Sequence, residues 1–288
     1  MKYIILGNTG YIGQAFETYF NNKQIEYESL SRDWIDYTKF ENIYTYIQEQ
    51  QKHNDLVVIN CAGYIGKPNV DACELAKADT IAGNVVFPSM LATVCDRLDV
   101  PLVHISSGCI YGGYEKQYTE QDKPNFTFDT GSFYSGTKAL AETLVSGNSS
   151  MYYIFRLRIP FDHVASPRNY LTKLLTYDTL LDMRNSVSHR YDFVKYCHHL
   201  VKRNAPYGIY NITNPGSVTT REVVDMLNHY YPAAKNKQFN FFDNEQQFNK
   251  IATAPRSNCV LDTTKLENMI DTRPALIAME TAIMRYTV

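Results

Sequence analysis

Tyr134 and Lys138 stand four residues apart in the run Tyr134-Ser135-Gly136-Thr137-Lys138. On a helix that spacing places both side chains on one face. An ammonium beneath a phenol stabilises the phenolate and lowers the Tyr pKa from about 10. Such a Tyr can exchange a proton with a sugar or alcohol oxygen near neutral pH. Ser107 closes the apolar run Pro101 to Ser106, and its hydroxyl can hold the same oxygen from a neighbouring strand end. Cys109 follows two residues later. Together these groups can interconvert a carbonyl and an alcohol, provided that a hydride donor lies beside them.

The donor's place is readable at the start of the chain. Lys2 to Leu6 is a short apolar run closed by Gly7-Asn8-Thr9-Gly10-Tyr11-Ile12-Gly13, after which Ala15, Phe16, Tyr19 and Phe20 recur at helical spacing. Strand, glycine turn and helix form the context of a dinucleotide fingerprint. Gly7 allows the tight turn, Gly10 lets backbone approach a pyrophosphate, and Gly13 lets helix pack on strand. The helix N-terminus then offers free N–H groups to the phosphates.

A second strand, Ile25 to Leu30, leads into Ser31-Arg32-Asp33. An acidic residue at this strand end binds the ribose 2′-hydroxyl of NAD, whereas an Arg suits a 2′-phosphate. Arg32 favours NADPH, and Asp33, one residue late, keeps NADH open. Asp55 to Asn60 reads as a buried parallel strand ending in Asn60-Cys61-Ala62-Gly63, where small residues at Cys61, Ala62 and Gly63 let backbone run along the cofactor.

Tyr37 to Gln51, Lys77 to Leu98 and Phe133 to Val145 have helical patterns, with strands at Pro101 to Ser106 and Met151 to Leu157. The alternation predicts an α/β fold, a doubly wound parallel Rossmann-type sheet with its ligand site at the carboxyl ends of the strands. After Arg158 the rhythm changes. Residues 1–158 are expected to form the NADP(H)-binding domain, with a return at 190–212. Residues 159–288 are expected to form a smaller, discontinuous C-terminal substrate lobe. Within it, Asn169 to Tyr177, Thr219 to Tyr230 and Pro274 to Tyr286 are helix-like, and Gly208 to Ile212 and Phe239 to Phe242 strand-like.

The 288 residues are 44% hydrophobic and 20% charged with a formal net charge of −2, a globular composition that implies no nucleic-acid partner. The longest uninterrupted apolar runs are strand-length, so no membrane partner is expected. The opening apolar run is too short for a signal peptide. Six scattered cysteines without a Cys-x-x-Cys pair read as reduced thiols of a cytoplasmic protein, and the seven histidines show no zinc spacing, so no metal is expected.

With these residues assembled, the chain resembles an extended short-chain dehydrogenase/reductase of the dTDP-4-dehydrorhamnose reductase branch. Gly7-x-x-Gly10-x-x-Gly13, Asn60-x-Ala62-Gly63, Ser107 and Tyr134-x-x-x-Lys138 carry the match. Within that branch it is similar to bifunctional UDP-4-keto-6-deoxyglucose 3,5-epimerase/4-reductases of UDP-L-rhamnose synthesis. The stretches Gly66-Lys67-Pro68-Asn69-Val70-Asp71, Gly108-Cys109-Ile110, Pro124-Asn125-Phe126-Thr127, Gly131-Ser132-Phe133-Tyr134-Ser135, Ser166-Pro167-Arg168-Asn169 and Ala254-Pro255-Arg256-Ser257-Asn258 extend it over nearly the whole chain. The resemblance implies Ser107, Tyr134 and Lys138 as a reductase triad and Cys109 and Lys173 as an epimerisation pair. It also implies substrate contacts at Asn125, Asn169 and Arg256. One departure is Ser107, where the plant proteins carry Thr; the hydroxyl is kept.

The chemistry of the residues agrees. A 4-keto group acidifies C3–H and C5–H, and the enolate needs a donor at O4, which Tyr134 and Ser107 can supply. Epimerisation needs a base on one face and an acid on the other. The Cys109 thiol can deliver a proton; Lys173 can act as base only if burial or a positive neighbour such as Arg168 lowers its pKa. The alternatives are a dTDP-4-dehydrorhamnose reductase, a GDP-L-fucose synthase-like enzyme, and, from another class, a non-catalytic regulatory subunit of the methionine adenosyltransferase type. A 4,6-dehydratase would want an Asp-Glu pair where Gly108-Cys109 stands. The long helices at Lys77 to Leu98 and Phe133 to Val145 would suit a homodimer interface.

Overall fold

The computed structural model describes residues 1–67 and 69–287; Pro68, part of one of the matching stretches, lies outside the described residues. Five strands alternate with helices from the N-terminus: β1 (Lys2–Leu6), β2 (Tyr27–Leu30), β3 (Leu56–Asn60), β4 (Leu102–Ser107) and β5 (Tyr152–Leu157). A sixth, β6 (Gly208–Asn211), joins them from far down the chain. All pair in parallel, in the order β2-β1-β3-β4-β5-β6. The order reverses between β1 and β3, so the loops after these strands diverge and leave a crevice at their carboxyl ends.

Burial explains why the strands lack alternation. All five residues of β3 and five of the six in β4 are buried, because helices cover both faces of a parallel sheet. One face packs on α1 (Gly13–Lys23) and α5 (Arg190–Lys202) through Phe16, Phe20, Phe193 and Leu200. The other packs on α2 (Phe40–Gln51), α3 (Lys77–Arg97) and α4 (Phe133–Asn148) through Ile43, Ile47, Leu91, Val94 and Val145. By length and composition α3 could cross a membrane, but half of its apolar window is buried inside the molecule. It is a core helix.

The remaining chain forms a second lobe. Its sheet is built from Pro160–Phe161, Arg184–His189 and Asn214–Thr219, and a short parallel pair joins Thr179–Leu180 to Asn240–Phe241. The helix Thr220–Tyr230 starts at the expected place. The Thr219 hydroxyl accepts from the Glu222 N–H while the Glu222 carboxylate accepts from the Thr219 N–H, a capping box. The lobe core gathers Phe161, Leu171, Val187, Leu227, Met279 and Ile283. The chain passes between the two cores repeatedly: α5 and β6 lie in the main layer, and Asn214 returns to the lobe sheet.

Two local features bear on the site. α3 contains a π-helical turn at Ala82–Val86, an irregularity the sequence pattern did not reveal. Gly7 is left-handed, with φ +77, and a Cβ there would stand 2.5 Å from the Ala62 backbone nitrogen. Only glycine lets the ends of β1 and β3 approach so closely.

Candidate active site

The glycine turn is shaped for an anion. A Cβ on Gly13 would strike the Gly7 carbonyl at 2.2 Å, whereas one on Gly10 meets only that carbonyl at 3.2 Å, leaving a face open to the crevice. α1 begins here with no side-chain cap. The N–H groups of Tyr11, Ile12 and Gly13 donate to no acceptor among the described residues, the donor set an incoming diphosphate needs. Asn8 is turned away, its amide donating to Glu17 Oε1 at 3.0 Å. Thr9 is exposed, with its carbonyl accepting from Gln14. A nicotinamide dinucleotide therefore fits the turn through Gly10, Tyr11 and Ile12 and the β3 end through Cys61, Ala62 and Gly63, all of which line one cavity. Arg32 is exposed beyond β2, where a 2′-phosphate on such a cofactor would need it.

The same cavity, about 710 Å³, continues between the sheet and the second lobe. Ser107, Cys109, Tyr134 and Lys138 line its sheet side; Arg168, Lys173 and Arg256 line its lobe side. Ser107 ends β4 and its hydroxyl accepts from the Cys109 N–H at 3.3 Å, fixing the turn that carries the thiol. Tyr134 and Lys138 lie in the first turns of α4, whose N-cap Ser132 accepts from the Ser135 N–H at 3.1 Å. The fold thus brings Ser107, Cys109, Tyr134, Lys138 and Lys173 to one cavity from β4, the turn after it, α4 and the helix Tyr170–Thr176.

The electrostatics differ from expectation at Tyr134. Its phenol is pushed well above its ordinary value by burial, with the Cys109 and Cys73 thiols adding to the effect and Arg168 opposing it. The Lys138 ammonium is not among the groups that lower it, and it donates to the Ile105 carbonyl at 2.9 Å on the strand side. Burial also lowers the Lys138 pKa, while Cys109 and Glu142 oppose that shift. The Cys109 thiol is raised, chiefly by burial, although Ser107 and Ser135 hydrogen bonds pull the other way. It is therefore a protonated donor at neutral pH. Lys173 is lowered by burial first, then by Arg168 and Arg256, and no carboxylate among the described residues forms a salt bridge with it. A desolvated amine between two guanidinium groups is the state a base requires. Arg168 lies in the loop ahead of the helix Tyr170–Thr176, where its guanidinium donates to Gly66 O at 2.7 Å.

Two of the expected substrate contacts have their amides bonded within the chain. Asn169 is fully buried and saturated: its Oδ1 accepts from the Leu171 and Asp162 N–H groups, and its Nδ2 donates to the Asp162 and Val164 carbonyls. It caps a helix and has nothing left for a ligand. Asn125 stands outside the cavity lining and clasps Gly112 through both N–H and carbonyl, at 2.9 and 2.8 Å. Arg256 lines the cavity, where it pairs with Asp71.

Other residues of the site were not singled out from the sequence. Asn84, in the π turn, accepts from Tyr64 N and donates to Tyr64 O and to the Thr137 hydroxyl at 2.7, 2.8 and 3.2 Å. It ties the β3 loop to α4 beside Tyr134. Arg158 is buried and held by Asn185 and Ser257 next to Cys109. His104, a lone imidazole in the apolar run of β4, was the legible signal; the others gave none.

A Rossmann-type sheet with a serine at the end of β4 and Tyr-x-x-x-Lys on the next helix defines an extended short-chain dehydrogenase/reductase. The RmlD substrate binding domain model matches residues 1–286, and the chain belongs to that family. It is 32% identical, over 99% of its length and 92% of the relative's, to the bifunctional dTDP-4-dehydrorhamnose 3,5-epimerase/dTDP-4-dehydrorhamnose reductase of Arabidopsis thaliana. It is also 32% identical to a trifunctional UDP-glucose 4,6-dehydratase/UDP-4-keto-6-deoxy-D-glucose 3,5-epimerase/UDP-4-keto-L-rhamnose-reductase of the same plant, covering 99% of this chain but only 41% of that one. Among solved structures, a UDP-rhamnose synthase from Acanthamoeba polyphaga mimivirus superposes with a TM-score of 0.89 at 25% identity, over 99% of both chains.

Proposed function

We propose that this chain is an NADPH-dependent 4-ketoreductase that also epimerises C3 and C5, converting UDP-4-keto-6-deoxyglucose into UDP-L-rhamnose. The carrying observation is that Cys109 and Lys173 open onto the same cavity as Ser107, Tyr134 and Lys138, one as a raised thiol and the other as a lowered amine. When bound, NADPH supplies a hydride. The chain's own work is to hold O4 with the Ser107 and Tyr134 hydroxyls, to protonate it from Tyr134, and to exchange protons at C3 and C5 between Lys173 and Cys109. Arg168 adds positive charge for the sugar-nucleotide diphosphate, and Arg256, paired with Asp71, lines the same wall.

The identities of the plant relatives support the epimerase half of this reading. The complete Ser107, Tyr134, Lys138 set favours an enzyme over a regulatory subunit. A plain reductase of an already epimerised 4-keto sugar is the second reading, favoured by the RmlD family match. Homodimerisation through the outer faces of α3 and α4, where Val86 and Leu140 are exposed, and a cytoplasmic location belong to the same proposal. The test is incubation with UDP-4-keto-6-deoxyglucose and NADPH, followed by NMR of the product. UDP-L-rhamnose is expected; recovery of the keto sugar without NADPH oxidation refutes the reading.

A further inference from the structure

His104 is 1% exposed and lies on β4 between Asn60 of β3 and Lys138 of α4. The amide of Asn60 has a fixed orientation, because its Oδ1 accepts from the Ala62 backbone N–H at 3.0 Å. Its Nδ2 is therefore the atom that faces His104 Nδ1, at 3.2 Å. An amide nitrogen only donates, so Nδ1 must be the acceptor and a neutral ring must carry its proton on Nε2. Nε2 faces Lys138 Nζ at 3.5 Å. The hydrogen bonds thus run one way, from the cofactor-facing backbone at Ala62 through Asn60 to His104, and the ring presents an N–H, not an acceptor, to the lysine.

We propose that His104 is a positioning residue for the reductase, locked as the Nε2–H tautomer so that the Lys138 ammonium finds no acceptor on the strand side except Ile105 O and turns its remaining protons to the cavity beside Tyr134. The inference rests on the reductase reading of this site. An N–H aimed at an ammonium also makes its proton easier to lose.

Charged and titratable groups surround Lys138 from several elements. On α4 itself, Tyr134 and Glu142 flank the lysine, and the Glu142 carboxylate is tied up by Arg156 of β5 at 2.6 Å. The turn after β4 supplies the neutral Cys109 thiol, with Arg158 beyond it. From the elements ahead of α4, the Cys73 thiol acts on Tyr134, Glu74 accepts from the Phe133 N–H, and Lys77 lies over the Phe133 ring, with Asp79 two residues further along α3. Burial and the Lys138 charge hold His104 well below its ordinary pKa, so it stays neutral across the working range. With the Tyr134 phenol raised and the Lys138 ammonium lowered, the first proton lost from the pair as pH rises is that of Lys138.

Two variants separate positioning from mere structure. His104→Asn keeps a partner for Asn60 but has no group that reaches Lys138. His104→Gln keeps an N–H at the position of Nε2. With NADPH and UDP-4-keto-L-rhamnose, the alkaline limb of kcat should move to higher pH in His104→Asn and stay in place in His104→Gln. Equal limbs in all three proteins overturn the proposal. Independently of turnover, 15N-histidine NMR of the protein with NADP+ bound should show a pyrrole-type Nε2 and a pyridine-type Nδ1 at the resonance missing from His104→Asn, unchanged from pH 5 to pH 9. An Nδ1–H tautomer or an imidazolium there overturns the proposal as well. If the unaltered protein oxidises no NADPH with this sugar, the functional reading falls while the tautomer measurement still decides the inference.

Discussion

Asp71 and Arg256 form a two-point ion pair at the cavity wall, Oδ1 to Nη1 at 2.7 Å and Oδ2 to Nη2 at 2.8 Å. The pair joins the loop after β3 to a loop some 180 residues later, and Asp71 also accepts from the Ala254 N–H at 3.1 Å. Arg256 holds the Asp71 carboxyl below its ordinary value. A depressed carboxyl stabilises above the unfolded pKa of about 3.9 and loses that contribution as pH falls through the folded value, so the clasp persists throughout any neutral assay.

Arg256 also bears on Lys173, whose pKa burial, Arg168 and Arg256 lower in that order. Arg256→Met should let Lys173 hold its proton to higher pH. Exchange of deuterium into C3 and C5 at pH 7 should then slow by roughly tenfold, and its acid limb should move up. An unmoved limb would detach Arg256 from the base.

Tyr134→Phe should lower NADPH oxidation by about 10²- to 10⁴-fold, the usual contribution of a positioned acid, with unfolding by urea unchanged. Lys138→Ala should do nearly the same. Near-normal turnover in Tyr134→Phe would mean that another group protonates O4.

Cys109→Ser and Lys173→Ala should stop epimerisation and spare reduction. Supplied with the epimerised keto sugar, both variants should oxidise NADPH; supplied with the unepimerised sugar, they should make no UDP-L-rhamnose. The unaltered protein in D2O without NADPH should exchange hydrogen at C3 and C5. Full exchange in both variants would leave a plain reductase.

Arg32→Ala should weaken NADPH by roughly tenfold to a hundredfold, the worth of a charge-assisted hydrogen bond of about 1.5–3 kcal/mol, and leave NADH nearly unchanged. Equal affinity for the two cofactors in the unaltered protein would remove the basis for the preference.

The sheet was legible because parallel strands and their helices write their burial directly into the sequence. The runs around Ile4, Val58 and Val103 are continuous, and Ile43 with Ile47 keeps helical period. Tyr134, Lys138 and Ser107 were legible for the same reason: their positions follow from one helix start and one strand end. Local bonding was not legible from the resemblance. Asn169 and Asn125 sit in matching stretches, yet their amides are consumed by backbone groups, a fact that only the folded loops reveal. Electrostatics were less legible still. The pKa of Tyr134 depends on how deeply the folded chain buries its phenol, and no spacing rule encodes that.

The π turn in α3 holds one residue more than an α-helix of the same span would need, and such turns are rare because they give up regular packing along the helix. Here the surplus residue carries Asn84 to Tyr64 and Thr137. Removing one residue between Ala82 and Val86 would restore an ordinary helix and swing that amide away from the loop that borders the cavity. Evolution and engineering therefore meet a trade-off at this bend: the change that most favours the helix is the one that dismantles the support behind Tyr134.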